Sequence, residues 1–346
     1  MFSPKVKHSV GAILNHLGFL DTYASLRSKR IGSQVAILWY HRVTAKKDQW
    51  SYEALDPRVF EEQMRYLHDN YEILSLEELV RCLYRGTLLH RKSVCITLDD
   101  GYRDNYLYAY PVLRKYNMPA TIFLTSGHVG TGALFWWDKV AYAVWHARVG
   151  QLGLPQLGSY RLESGLDRRR AVSAILDKLK RMPDQKKNSF TEELVETAEV
   201  DIPDRLGEQF VLSWDEVLDM SRNGVDFGGH TVSHPILVNM PADQANREIV
   251  HSKKVIETVV GKPVHFFAYP DGSYNPQVVE MVKDAGFHAA CTCDPNWINS
   301  MTNPYECGRV PGCDDFDLFK FLLSGLWRDL QSVLRRESQR IQKDGF

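Results

Sequence analysis

Ser93-Val94-Cys95-Ile96-Thr97-Leu98-Asp99-Asp100-Gly101 begins as a run of strand-forming residues and ends on two carboxylates and a glycine. Its apolar residues fall on successive positions rather than alternate ones, the pattern of a strand covered on both faces. Similar short runs recur at Val35–Trp39, Ala120–Leu124, Val225–Gly228, Val264–Ala268 and His288–Cys291. Between them the apolar spacing is helical, over Asp56–Asn70, Leu76–Tyr84, Asn105–Tyr116, Ser213–Asn223 and Asp243–Gly261. Strands alternating with helices predict an α/β protein, with the helices packed around a parallel sheet or barrel.

The 346 residues are about two domain lengths at ~150 residues each, although barrels reach this size as one domain. Hydrophobic residues make up 44% and charged residues 25%, which excludes a disordered chain. The 42 basic against 43 acidic side chains argue against a nucleic-acid-binding body, whose footprint is a basic excess. The first thirty residues are interrupted by His16, Asp21 and Arg27 before an apolar segment develops, so no signal peptide is read and a cytoplasmic location is expected. The six cysteines are sparse and read as reduced thiols. Cys291, Cys293, Cys307 and Cys313 are a zinc alternative weakened by the one-residue gap in Cys291-x-Cys293.

Three segments lie outside the alternation. Residues 1–33 read as helical. Residues of about 127–210, within a barrel spanning 34–313, read as an insertion that opens on Phe135-Trp136-Trp137-Asp138 and continues into charged helices. It is either a lid facing substrate or a structural elaboration. Residues 314–346 read as an amphipathic helix, with Phe316, Phe319, Leu323, Leu326, Leu330 and Leu334 at helical steps and Arg335, Arg336 and Arg340 after them. That stripe either docks on the domain or lies peripherally on a membrane surface.

Ligands of α/β folds collect at the carboxyl ends of strands, where Asp99 and Asp100 fall. Gly101 lets the chain turn so that both carboxylates approach one centre. A second strand end carries Gly228-Gly229-His230-Thr231-Val232-Ser233-His234-Pro235, whose two imidazoles lie four residues apart. His230, His234 and one Asp form a two-His-one-carboxylate set able to hold a divalent metal with positions left open. The other Asp is then free to take a proton from water in metal-assisted hydrolysis. Expulsion of an amine also needs an acid, and His41, in Trp39-Tyr40-His41-Arg42-Val43 at the end of the first strand, is the candidate.

Thr97-Leu98-Asp99-Asp100-Gly101 resembles the T-F-D-D-G motif, and His230-Thr231-Val232-Ser233-His234 the H-[ST]-x-x-H motif, of the polysaccharide deacetylases with NodB homology (carbohydrate esterase family 4). Phe267-Ala268-Tyr269-Pro270-Asp271-Gly272 resembles their third motif, and the similarity runs over roughly residues 35–312. The resemblance implies a distorted or incomplete (β/α) barrel. It also implies hydrolysis of N-acetyl groups from amino sugars of a polysaccharide or of a lipid- or nucleotide-linked precursor, with a carbohydrate and no nucleic acid as partner. It assigns Asp99 as base and Asp100, His230 and His234 as ligands of a divalent metal, zinc by usual expectation. Two family features are missing. The Arg ahead of the third motif's Pro is absent, and Gly308-Arg309-Val310-Pro311-Gly312 stands where a late motif ends in a catalytic His. The Tyr-His-Arg-Val opening resembles a permuted subgroup that includes biofilm poly-N-acetylglucosamine deacetylases, which implies His41 as acid and Arg309 in place of the missing Arg. The motifs specify amide hydrolysis but not acyl size, so removal of a formyl group, or a carbohydrate-binding barrel without turnover, stays open.

Overall fold

The structure, a computed structural model, describes residues 4–31, 34–45, 50, 54–87 and 92–333. Its strands are β1 (Val35–Tyr40), β2 (Arg42–Val43), β3 (Ala54–Leu55), β4 (Glu72–Ile73), β5 (Ser93–Leu98), β6 (Ala120–Leu124), β7 (Gln151–Leu154), β8 (Gly158–Arg161), β9 (Val225–Gly229), β10 (Phe266–Ala268), β11 (Ala289–Cys291) and β12 (Val310–Pro311). The α-helices are α1 (Pro4–His16), α2 (Phe19–Ile31), α3 (Pro57–Asn70), α4 (Leu76–Arg85), α5 (Tyr110–Lys115), α6 (Trp136–His146), α7 (Gly165–Leu179), α8 (Asp184–Thr197), α9 (Trp214–Arg222), α10 (Ala242–Val260), α11 (Pro276–Asp284) and α12 (Phe316–Leu323).

The main sheet has the order β11-β10-β9-β6-β5-β1-β12, with β4 beside the start of β5, and every neighbouring pair is parallel. All six residues of β5 are buried, as their consecutive apolar pattern requires of a strand with cover on both faces. The sheet curls until its edges are joined by one short segment. Cys307 donates its amide to the Ala290 carbonyl (2.9 Å) and accepts from Thr292 N (2.8 Å), both beside β11. Three residues later Val310 pairs with Leu38 of β1. Residues 307–311 thus close a distorted (β/α) barrel. The wall is tight at β9, where a Cβ on Gly228 would lie 2.4 Å from the Phe123 ring, so only glycine fits.

Residues 127–210 hold α6, the β7–β8 antiparallel hairpin, α7 and α8. Val140, Val144, Leu152, Ile175, Leu179 and Leu194 pack there in an apolar cluster separate from that of the barrel. The charged helices of this segment therefore each bury one apolar face.

Of the N-terminal segment, residues 4–31 hold two helices, α1 and α2, which meet at left-handed Gly18 (φ 64°). Helix 105–116 starts with a π-helical turn over Asn105–Ala109 before α5. The expected C-terminal helix stops at Leu323, Gly325 takes φ 77°, and residues 326–333 resume as a second helix. Helical spacing of apolar residues continues across that break, which is why the pattern read as one element. Phe319, Phe321 and Leu323 are buried, with Leu20 and Trp327 packed beside Phe321, and Arg27 pairs with Asp329 at 2.7 Å. This part of the stripe is docked on the protein, while Leu334, Arg335, Arg336 and Arg340 lie outside the described residues. Among the described residues no helix is long and apolar enough to cross a membrane.

Candidate active site

The carboxyl ends of β1, β5, β9, β10 and β11 converge on a cavity of about 280 Å³, lined by residues including Trp39, His41, Asp99, Asp100, His230, His234 and Tyr269. At the end of β5 the chain turns sharply, because Asp100 (φ 74°) and Gly101 (φ 84°) are both left-handed. The sequence pointed to Gly101 alone for this turn. With Asp100 also turned, its carboxylate aims across the barrel at β9 while Asp99 aims toward β11.

Asp100 Oδ1 lies 3.4 Å from His230 Nε2 and 3.4 Å from His234 Nε2, and the two Nε2 atoms are 3.1 Å apart. Among the described residues this is the group of His, Cys, Asp and Glu side chains whose ligand atoms converge within 4.8 Å, and the cysteine set considered from the sequence does not. His230 Nδ1 lies 2.7 Å from the Ala268 carbonyl and must donate to it, which leaves Nε2 with its lone pair facing His234 and Asp100. Asp100 Oδ1 is buried with no hydrogen-bond partner. Two imidazole nitrogens and a bare carboxylate oxygen this close, shielded from water, fit a divalent cation as their common partner. The turn carrying the histidines is not helical. Thr231 (φ 68°) and His234 (φ 56°) are left-handed, and this irregular backbone brings the imidazoles together. Burial lowers His234 well below the usual histidine range, and the neighbouring His230 adds to that. Burial also disfavours charge on His230, but Asp100 and Asp99 outweigh it and raise that imidazole. For Asp100 itself burial is opposed by His230, His41 and His234, which together hold the carboxyl well below its ordinary value.

Asp99 is held differently. Arg309, fully buried, donates from Nη1 to Oδ1 (2.8 Å) and from Nη2 to Oδ2 (2.7 Å), a bidentate pair. Arg309 Nη1 also donates to Thr97 Oγ1 and its Nε to the Thr292 carbonyl, so the guanidinium spans β5 and the end of β11. Burial pushes Asp99 up, the Arg309 charge more than offsets this, and the carboxyl ends below its ordinary value. At the third motif Tyr269 stands ahead of Pro270, its hydroxyl donating to the Tyr305 carbonyl (3.0 Å). The guanidinium on Asp99 therefore arrives from residue 309, on the segment that closes the barrel.

His41 follows β1, its ring edge-on to Trp39 at 4.8 Å, and its side chain lines the same cavity. The 127–210 segment supplies Trp136, Trp137, Leu176 and Lys180 to the wall, and Lys180 crosses the rim to pair with Asp271 (2.5 Å). Trp137 stacks on Phe135 (4.6 Å between ring centres, 3° between planes) and packs at 4.4 Å against His234. The indole N–H donates to Tyr102 Oη (2.8 Å), and Tyr102 donates to Asp138 Oδ2 (2.9 Å). Sequence reasoning missed Tyr102, Asp138, Asp271 and Lys180 as parts of the site. Trp136-Trp137 was the one signal for this wall, and the structure places those rings on it.

Asp138 has a measurable signature. Burial raises its carboxyl, against the pull of Arg42 and Tyr102, to about 7. The folded state therefore holds this proton more tightly than the unfolded chain does. The associated stability is fully present below about pH 4 and is lost as pH rises through about 7, up to about 4 kcal/mol in all. Asp138→Asn does not titrate, so chemical denaturation at pH 4 and pH 8 is expected to show the variant gaining on the wild type as pH rises. A difference between them that is flat across this range would contradict the assignment.

The polysaccharide deacetylase profile matches residues 88–290. The chain belongs to the polysaccharide deacetylase family. Bacillus subtilis YxkH, which carries a provisional polysaccharide deacetylase name, is 23% identical over 291 residues, 84% of this chain and 75% of that one. The poly-beta-1,6-N-acetyl-D-glucosamine N-deacetylase of Staphylococcus epidermidis is 30% identical over 133 residues, 34% of this chain and 45% of its own length. The Streptococcus pyogenes deacetylase PplD, solved with acetate, shares the fold with TM-score 0.58 at 19% identity, covering 84% of this chain and 97% of that one. As a polysaccharide deacetylase the chain is a hydrolase of carbon–nitrogen bonds in sugars, and its curled parallel barrel is the fold that the motifs implied.

Proposed function

We propose that the chain is a zinc-dependent N-deacetylase that removes acetyl groups from amino sugars of a glycan, with Asp100, His230 and His234 as metal ligands, Asp99 as general base and His41 as general acid. The observation that carries this reading is the buried Asp100–His230–His234 tripod beside an arginine-held Asp99 within one cavity. A bound divalent cation supplies Lewis-acid polarisation of an acyl carbonyl and lowers the pKa of water.

The chain's own residues do the rest. Each oxygen of Asp99 gives one lone pair to Arg309 and keeps another, so the carboxylate can accept a proton from attacking water without releasing its anchor. His41, on the neighbouring strand end, lines the same cavity, which supports it as the group that returns a proton to the departing amine. Trp136, Trp137, Leu176 and Ile236 give the cavity an apolar wall for the sugar to pack against. The Staphylococcus relative named for an N-acetylglucosamine polymer supports an N-acetylated amino-sugar substrate.

The test is acetate and formate release from acylated amino-sugar oligomers by protein loaded with zinc, cobalt or manganese, beside His230→Ala. The wild type is expected to release acetate and to bind one metal per chain, and the variant to lose both. Formate release in place of acetate would correct the acyl group. Unchanged metal stoichiometry in His230→Ala would sink the site, and glycan binding without hydrolysis across the panel would favour a binding barrel.

A further inference from the structure

The two histidines of the tripod are secured in different ways. His230 has its ring fixed by the bond from Nδ1 to the Ala268 carbonyl. His234 has no such anchor, because its Nδ1 is buried without a hydrogen-bond partner. The aim of His234 Nε2 therefore depends on the backbone of the 231–234 turn and on the Trp137 ring packed against it.

That turn is held from two sides. On one side Ser126 N donates to the Thr231 carbonyl (3.1 Å) and Gly127 N to the Val232 carbonyl (2.8 Å). On the other, a single side chain of α10 accepts the amides that point outward. Glu248 Oε2 accepts from Val232 N (2.7 Å) and Ser233 N (2.9 Å), and Oε1 accepts from Ser233 Oγ (2.9 Å). His234 N then donates to Thr231 Oγ1 (3.0 Å). Left-handed Thr231 and His234 flank the two residues that Glu248 holds. Non-glycine residues keep such backbone only where their surroundings over-determine it, and Glu248 is the side chain that does so from the helix.

We propose that Glu248 is a positioning residue for the metal centre, setting His234 by clamping the outward amides of the His230–His234 turn. This rests on the reading that the tripod binds a divalent cation. Groups that orient ligands without touching the metal commonly carry about 10–100-fold in metal affinity when removed. The clamp needs one oxygen that accepts both amides, a second atom that pairs with the Ser233 hydroxyl, and no net charge. In Glu248→Gln the amide oxygen can take the two backbone N–H groups while the NH2 donates to Ser233 Oγ.

The experiment measures zinc affinity by competition with a chromophoric chelator in the wild type, Glu248→Ala, Glu248→Gln, His234→Ala and the Glu248→Ala/His234→Ala double variant. The visible spectra of the cobalt-loaded proteins and amide hydrogen exchange of the metal-free proteins are recorded alongside. Glu248→Ala is expected to bind about 10–100-fold more weakly, with a changed cobalt spectrum and faster exchange at Val232 and Ser233, while Glu248→Gln stays within about threefold of wild type. The double variant should bind no more weakly than His234→Ala, because Glu248 acts through that ligand. Wild-type affinity in Glu248→Ala, or additive losses in the double variant, would overturn the proposal and leave the metal site standing. A wild type that binds no metal would overturn both, and the exchange data would still report whether the clamp exists.

Discussion

Asp99→Asn is expected to lower kcat/KM for acetate release by about 10²–10⁴-fold, the usual contribution of a positioned proton acceptor, while the protein still takes up metal. Asparagine has nearly the same shape, and its substitution leaves Asp100, His230 and His234 untouched, but its amide cannot take a proton from water. The change has a second consequence that must be separated from the first. Arg309 is fully buried and loses its counter-charge, and one of its two N–H groups then meets an NH2 in place of an acceptor. Breaking a buried pair on one side typically costs about 3–5 kcal/mol of stability. Activity should therefore be compared well below the variant's unfolding midpoint, with metal content measured on the same sample. A metal-loaded, folded Asp99→Asn enzyme with wild-type turnover would show that the proton goes elsewhere.

Much of this architecture is legible in the sequence because it is written locally. Consecutive apolar residues marked β1, β5 and β6 as strands covered on both faces, and the alternation with helices marked a parallel sheet. The residues that follow β5 and β9 carried their own chemical signal in Asp99-Asp100 and His230-x-x-x-His234. What was not legible depends on contacts between distant parts of the chain. Closure of the barrel by residues 307–311 rests on Cys307 binding beside β11 while Val310 pairs with β1, and β12 is two residues long. Glu248 is one acidic residue on a polar helix face until α10 is laid against the 231–234 turn. Trp136 and Trp137 gave an aromatic signal without a direction, which came only from the fold of the 127–210 segment against the cavity. The C-terminal stripe misled for the opposite reason. Its helical spacing is real on both sides of Gly325, and the break lies in one residue's backbone sign.

Arg309 joins these two kinds of information, since its place in the chain was suggested by what the third motif lacks, while its partner is 210 residues away. Arg309→Met keeps much of the side chain's bulk and removes the charge, leaving Asp99 as a buried carboxylate without a cation. It also removes the Nε bond to Thr292, so the segment closing the barrel loses a tie to the end of β11. The expected result is a loss of about 3–5 kcal/mol in denaturant unfolding and a collapse of activity. Arg309→Lys should do little better for activity, because an ammonium cannot span both oxygens of Asp99. The informative protein is the double variant Asp99→Asn/Arg309→Met, which buries no unpaired charge at this position. Its loss of stability should fall short of the sum of the two single losses by about 1–3 kcal/mol, an interaction energy of the size found for residues in direct contact. Its activity should not recover at all. If stability stays additive, the pair is not coupled as the geometry requires. If activity returns with stability, Asp99 serves the fold and not the reaction. Recovery of the one without the other is the result that assigns the Asp99–Arg309 pair to both.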